Sequence, residues 1–231
     1  TVIVSRLVKS FNHRPALKGI DLQVQSGQTA VIIGPNGAGK TTLLKILSTV
    51  MKPTSGQVYI KGISLKDNPD AARRHIGVVS HQSFLYGSLT ASENLEFYCR
   101  LHDIDQPKQR AAETADMVGM TSRLHDRVDT FSRGMQQRIS IARSLLHRPS
   151  ILLMDEPETG LDQQATVMLW DIMKQKGATV ILTTHNLERG LELADRVFIL
   201  NKGKVLLQKS AAEIDPDSCG QAYFELTGGC S

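Results

Sequence analysis

A short apolar run, Thr29-Ala30-Val31-Ile32-Ile33, is followed at once by Gly34-Pro35-Asn36-Gly37-Ala38-Gly39-Lys40-Thr41-Thr42. The run has the length of a buried strand, and a helix is predicted to begin near Lys40. The first eight of these residues, Gly34 to Thr41, match G-x-x-x-x-G-K-[ST] in the strand–loop–helix context that gives this pattern its meaning. A plain glycine-rich turn capping a helix is the alternative, and it has no use for the lysine.

The residue types follow from what a triphosphate needs. Its oxygens require several backbone N–H donors converging on them, and side chains would block that approach. Gly37 and Gly39 let the backbone come close, and the helix start presents the positive end of its dipole. Lys40 brings a point charge to the β and γ phosphates, and the Thr41 hydroxyl is placed to hold Mg²⁺. The loop therefore implies binding of a nucleoside triphosphate by residues 34–42.

The pattern on either side points to α/β architecture. Val2–Val8 and Ile20–Val24 alternate, and Val58–Ile60 is strand-like. From about Ser83 to Arg148 the chain reads as helices; Met135, Ile139, Ala142, Leu145 and Leu146 share one face, and Pro149 ends that stretch. Beyond it, strand Ile151–Met154, helix Gln163–Lys174, strand Thr179–Thr183, helix Leu187–Ala194 and strand Val197–Leu200 alternate. The expected fold is a mostly parallel sheet with an antiparallel β region and an inserted helical subdomain. Residues 1–82 and 150–214 would form the α/β lobe, 83–149 the helical subdomain and 215–231 a tail.

Composition excludes other classes. With 231 residues, 41% hydrophobic and 22% charged, the chain can bury a core and is not low-complexity. No stretch approaches the ~20 apolar residues of a spanning helix, and Arg6 and Lys9 interrupt any signal-peptide pattern. Cys99, Cys219 and Cys230 are too few and scattered for a disulfide framework or zinc site, which suggests a reducing, cytosolic setting. The net charge of +4 is spread along the chain without a dense basic block, so no nucleic-acid partner is expected.

Two acids end the next apolar run, Ile151-Leu152-Leu153-Met154-Asp155-Glu156. In an open parallel sheet, ligands sit beyond the carboxyl ends of strands, where these side chains would project. Asp155 would face Mg²⁺ through its water shell, and Glu156 would act as general base or water-positioning group. His185 and Gln82 follow the predicted strands Thr179–Thr183 and Ile76–Ser80. Each is anonymous alone and gains weight only from its order relative to the loop.

Together these pieces resemble the ATP-binding subunit of an ABC transporter over nearly the whole chain. Phe131-Ser132-Arg133-Gly134-Met135-Gln136-Gln137-Arg138 is similar to the family's LSGGQ-x-Q-R signature, with Asp155 following 17 residues after Arg138. Gly160-Leu161-Asp162 matches the D-loop, Gln82 the Q-loop glutamine and metal contact, and His185 the switch histidine. Phe11 stands where the family stacks an aromatic ring on adenine. The resemblance implies ATP and Mg²⁺ as ligands and a head-to-tail dimer with a second copy. Each ATP would lie between one phosphate loop and the partner copy's Ser132 and Gly134. It also implies separate transmembrane permease subunits, with residues 82–90 as the transmission surface, and a peripheral location on the cytoplasmic face of the cell membrane.

Arg133 and Met135 depart from the signature's glycine and glutamine, so altered contacts around ribose and phosphate are expected. The runs Ser132–Arg138 and Thr183–Leu191 look like the ATPase of a haem-handling exporter in cytochrome c maturation. The rivals are a soluble ABC-type ATPase of repair or translation and a phosphate-loop small-molecule kinase. The first would carry a coiled-coil or zinc insertion, or a second ATPase half; the second has no need of Ser132 or His185.

Overall fold

The computed structural model describes residues 1–80, 83–158, 161, 163–175 and 177–214. Strands β1 (Val2–Phe11) and β2 (Arg14–Val24) form an antiparallel hairpin whose register closes with Phe11 opposite Arg14. Asn12 and His13 between them both have positive φ, 45° and 65°, as a two-residue hairpin turn with the native strand twist requires. Both strands therefore run past the ends expected from alternation alone. β3 (Thr29–Ile33) and α1 (Lys40–Leu47) leave this sheet, and β4 (Ser55–Ile60) returns to pair with β1. With β5 (Ile63–Ser64) the order is β2-β1-β4-β5. The antiparallel strands expected at one side thus make a sheet of their own. A short helix, α2 (Pro69–Arg73), follows.

Tertiary contacts group the chain into two compact units. The first holds residues 1–73, 153–156 and the described chain from Thr179 onward; the second holds 74–152 and 157–178. In the first unit β3 is central to a second sheet. It runs parallel to β8 (Thr179–Thr184), with Thr29 opposite Val180 and Ile33 opposite Thr184, and parallel to β9 (Arg196–Asn201). β10 (Lys204–Ser210) adds an antiparallel edge to β9, and the last residues of β7 (Ile151–Asp155) lie beyond β8.

Val31, Ile32, Ile33, Val180, Ile181, Leu182 and Val197 to Leu200 are all buried, the unbroken apolar run of strands covered on both faces. Helix α7 (Leu187–Leu193) packs close to β3 because Gly190 has no side chain. A Cβ there would stand 3.1 Å from Val31 and 3.2 Å from Ile33.

The second unit contains β6 (Ile76–Val79), α3 (Ala91–Leu101), α4 (Pro107–Met117), α5 (Arg133–Leu145) and α6 (Gln163–Gln175). Thr90 and Glu93 form a reciprocal capping box at the start of α3, and Pro107 begins α4 where its missing N–H costs nothing. Ile139, Ala142, Leu145 and Leu146 are buried as the periodicity requires, while Met135 is half-buried. The α5 backbone stops at Leu145, before Pro149. The buried Arg110 guanidinium closes that end by donating to the Leu145 and Leu146 carbonyls at 2.8 Å each.

Candidate functional site

The loop after β3 is shaped by two close approaches. A Cβ on Gly34 would stand 2.1 Å from the Leu200 carbonyl oxygen of β9, so no larger residue fits without moving a strand. Gly39 has φ 108° and would meet Leu17 and Ala16 at 2.8 and 2.9 Å. Backbone bonds from Gly203 N–H to the Ala38 carbonyl and from Lys18 N–H to the Gly203 carbonyl, 2.9 and 2.8 Å long, fix the far side of the loop.

Gly39 also caps α1 with no side-chain acceptor, and the first turn of α1 carries no acidic residue. Its orphan N–H groups and dipole are left for an anion. The resulting cavity of about 180 Å³ is lined by Ala16, the loop from Pro35 to Thr42, and Glu156. Along Gly37-Ala38-Gly39 its wall carries no side chain larger than a methyl, which is what close approach of a polyphosphate to the backbone needs.

Lys40 is 6% exposed, and its ammonium donates to the carbonyls of Gly34 at 2.5 Å and Pro35 at 3.2 Å. Burial pulls its pKa below the usual lysine value; the Glu156 and Asp155 carboxylates oppose that shift. The lysine therefore sits within electrostatic reach of both acids.

Asp155, 7% exposed, ends β7 and accepts a hydrogen bond from Thr183 Oγ1 at 2.6 Å. Glu156 takes φ 47°, a left-handed conformation uncommon for a residue with a side chain. Its N–H donates to the Thr183 carbonyl at 3.1 Å, and its Oε1 lies 3.4 Å from His185 Nδ1. His185 is largely exposed, and just after it the Asn186 N–H donates to Thr184 Oγ1 at 3.0 Å. The loop, both carboxylates and His185 are thus brought to one end of the sheet in the first unit.

The donor set suits a magnesium ion carried with a nucleotide. Thr41 offers a hydroxyl and Asp155 a carboxylate, while no group of three or more His, Cys, Asp or Glu among the described residues could cage a metal alone. Mg²⁺ is commonly held by one or two protein oxygens, substrate phosphates and water.

The other anticipated residues are distributed differently. Ser132 is the exposed N-cap of α5, and its Oγ accepts the Met135 N–H at 3.3 Å. It fills the ordinary capping role, and the first turn of α5, which contains Gly134, is also free of acids. Gln137 is held by a 3.3 Å bond to the Pro157 carbonyl. Phe11 is 45% exposed, with Lys9 Nζ 5.1 Å from its ring centroid. Gln82, Gly160 and Asp162 lie outside the described residues. Cys99 is buried, with its thiol pKa raised to about 11, which makes it inert.

Sequence reasoning passed over two features of this chain. Thr183 escaped because nothing in the sequence of a strand marks which hydroxyl will meet a neighbouring strand's acid. An aromatic cluster in the second unit also escaped. Phe84, Tyr86 and Phe97 are exposed by 49%, 51% and 37%. Phe97 meets Tyr86 and Tyr98 edge-on at 5.4 and 5.3 Å, and the Arg143 guanidinium lies 5.4 Å from the Phe84 ring.

The family model described as ABC transporter matches residues 17–159. The linearmycin resistance ATP-binding protein LnrL of Bacillus subtilis is 34% identical over 95% of this chain and 72% of its own length. The daunorubicin/doxorubicin resistance ATP-binding protein DrrA of Streptomyces peucetius is 36% identical over 91% of this chain and 65% of its own. Among solved structures, the dimeric post-hydrolysis state of the ATP-binding cassette MJ0796 bound to ADP and Pi superposes with a TM-score of 0.83. It is 30% identical and covers 91% of this chain and 99% of that one. An ATP-binding subunit of an ABC transporter gives a TM-score of 0.85 at 28% identity, covering 99% of this chain and 95% of that one.

Proposed function

Because the chain belongs to the ABC transporter family of ATP-binding domains, we propose that two copies close head to tail over two ATP molecules, hydrolyse them, and pass the motion to separate membrane-spanning subunits. ATP binding and hydrolysis coupled to transport come with the family. The division of labour among residues is our reading.

In it, the N–H groups of residues 37–42 bind the phosphates and the Lys40 ammonium exchanges its two loop carbonyls for phosphate oxygens. Thr41 and Asp155 hold Mg²⁺, which when bound offsets the negative charge of the phosphates. Gln82 joins them at the metal in the same reading. Glu156 accepts a proton from the attacking water or orients it, steadied by His185 3.4 Å away. Phe11 stacks on the base. Ser132 and Gly134 of the second copy complete the γ-phosphate's surroundings with an acid-free helix end. The observation that carries this reading is the convergence of the loop cavity, buried Lys40 and left-handed Glu156 at one end of one sheet.

No helix among the described residues is long and apolar enough to cross a membrane; as in the family, the chain would work on the inner membrane face through partners. The exposed cluster Phe84, Tyr86 and Phe97 supports residues 82–90 as their docking surface, with 83–149 as the subdomain that carries it. Relatives named for resistance to linearmycin and to daunorubicin and doxorubicin favour export of an antibiotic-like compound. The runs Ser132–Arg138 and Thr183–Leu191 still favour haem export as the second reading, but the relatives described here lend it no support.

Purification with its membrane partners separates these readings. A polytopic membrane protein should copurify, ATP should be hydrolysed without any phosphate acceptor, and Glu156→Gln should sensitise the host to an antibiotic. Recovery of the chain without a membrane protein would favour the soluble rival. A defect in cytochrome c with antibiotic tolerance intact would restore haem as cargo.

A further inference from the structure

Thr183 lies in β8 with 0% exposure, and its hydroxyl lies between the Asp155 carboxylate and the Glu156 backbone N–H. An ionised carboxylate can only accept, so the 2.6 Å contact to Asp155 Oδ1 takes the hydroxyl's single proton. A lone pair is then left for the Glu156 N–H, 3.3 Å from the same oxygen. That N–H also points to the Thr183 carbonyl at 3.1 Å, so one residue supplies both acceptors for the backbone of Glu156. A left-handed residue with a side chain persists only where its surroundings over-determine it. Thr183 provides that determination at φ 47°. A β-branched residue serving the strand alone could equally be valine, which fills the same space without a hydroxyl.

We propose that Thr183 is a positioning residue for ATP hydrolysis: its hydroxyl orients the Asp155 carboxylate for the metal, and its hydroxyl and carbonyl together hold Glu156 in the turn that aims its acid at the phosphate loop. With Oδ1 engaged by Thr183, the second oxygen of Asp155 is left for the metal's water shell. This inference rests on the ATPase reading above and deepens it.

The test uses the full chain with Thr183→Val, Thr183→Ser and Thr183→Cys, the last keeping a weaker donor should the valine variant not fold. ATP affinity is titrated in EDTA, Mn²⁺ binding to the ATP complex is followed by electron paramagnetic resonance, and kcat and KM are measured for Mg·ATP. Thr183→Val should bind ATP in EDTA as wild type does. Its Mn²⁺ affinity and kcat should each fall about tenfold, the lower end of what losing a hydrogen bond to a charged group does. KM should stay near wild type, Thr183→Ser should recover most of both losses, and Thr183→Cys should fall between. A folded Thr183→Val, or Thr183→Cys in its place, with unchanged Mn²⁺ affinity and kcat overturns the proposal. So does a serine variant as impaired as the valine one. A wild-type chain that binds no ATP would instead remove the underlying reading.

Discussion

Acid should loosen the helical unit through one histidine pair. His102 caps the C-terminus of α3 and His147 follows α5; their rings stack with centroids 4.1 Å apart and 2° between planes. His147 Nε2 lies 2.9 Å from the Ile76 carbonyl, which can only accept, so this nitrogen carries the proton. Nδ1 is then a bare acceptor, buried without a hydrogen-bond partner. A second proton would create a cation with little water around it, stacked on His102 and facing Arg143 and Arg110. These causes, burial first, drive the His147 pKa from 6.5 down to about 4, against the weaker pull of the Ile76 carbonyl. His102 shifts downward too, through burial and Arg143, with Asp103 opposing.

The sign of the effect follows from which state takes up the proton. Below pH 6.5 the unfolded chain protonates His147 while the folded chain does not until about pH 4. Stability is therefore fully present above pH 6.5 and lost as pH falls through that window. Integrating proton uptake for those two values gives a loss of about 2 kcal/mol between pH 7 and 5 and about 3 kcal/mol by the end of the window. Urea unfolding followed by the fluorescence of Trp170, which is 5% exposed in α6, measures it. Thr90, Glu93 and the other caps are common to all variants, so the comparison is with His147→Phe. That variant keeps a ring against His102 but cannot titrate. It should start about 1 kcal/mol less stable at pH 7 for want of the Ile76 bond, and should lose about 2 kcal/mol less on going to pH 5. Equal pH slopes in the two proteins would refute the reasoning.

The nucleotide site yields four sharper outcomes. Glu156→Gln should slow hydrolysis by about 10² to 10⁴ while ATP stays bound, read by phosphate release and nucleotide titration; undiminished turnover would remove Glu156 from its role. Lys40→Ala should weaken ATP binding by about a hundredfold, the upper range for a bond made by a charged group, and a titration curve like wild type would contradict it. Gly34→Ala forces a Cβ to 2.1 Å from the Leu200 carbonyl and should abolish ATP binding together with a fall in Tm. Gly37→Ala has open space around it and only the strain of φ 78° to bear, about 1 kcal/mol, so its Tm should move far less.

What could be read from the sequence was what chemistry confines to adjacent residues. The phosphate loop is nine consecutive positions whose types follow from backbone approach and charge, so its strand, its turn and the start of α1 were all legible. Asp155 and Glu156 were legible because a buried run that ends in two acids has few other uses beside such a loop. The failures have the opposite character. β10, running Lys204–Ser210, alternates half-buried and exposed positions and buries none of its residues fully, and its short Val205-Leu206-Leu207 run lacks the apolar–polar alternation that would have announced it. The ends of β1 and β2 depended on a turn at Asn12-His13, where a histidine with φ 65° gives no warning. Thr183 and Asp155 are 28 positions apart, and only the placing of β8 beside β7 makes them partners.

Under the proposed head-to-tail closure, a single copy of this site would be half a site. Among the described residues lining the cradle, Lys40 supplies an ammonium and the acid-free start of α1 a positive dipole end, beside any bound Mg²⁺. Glu156 lines the cavity as an acid, which suits a water's proton and repels the γ-phosphate's charge. In the proposed dimer, charge that develops on that phosphate during cleavage would meet further donors from the second copy. The start of α5 has the required properties. Ser132 satisfies only the Met135 N–H, no acid offsets the dipole of the first turn, and the serine is exposed. Fixed dipoles of this kind act most strongly where water is excluded, a condition met only when two surfaces close on the nucleotide. On the proposed mechanism, binding would precede association while hydrolysis waits for it. In the proposed cycle, that order would confine hydrolysis to moments when two cassettes, and the membrane subunits they carry, have come together.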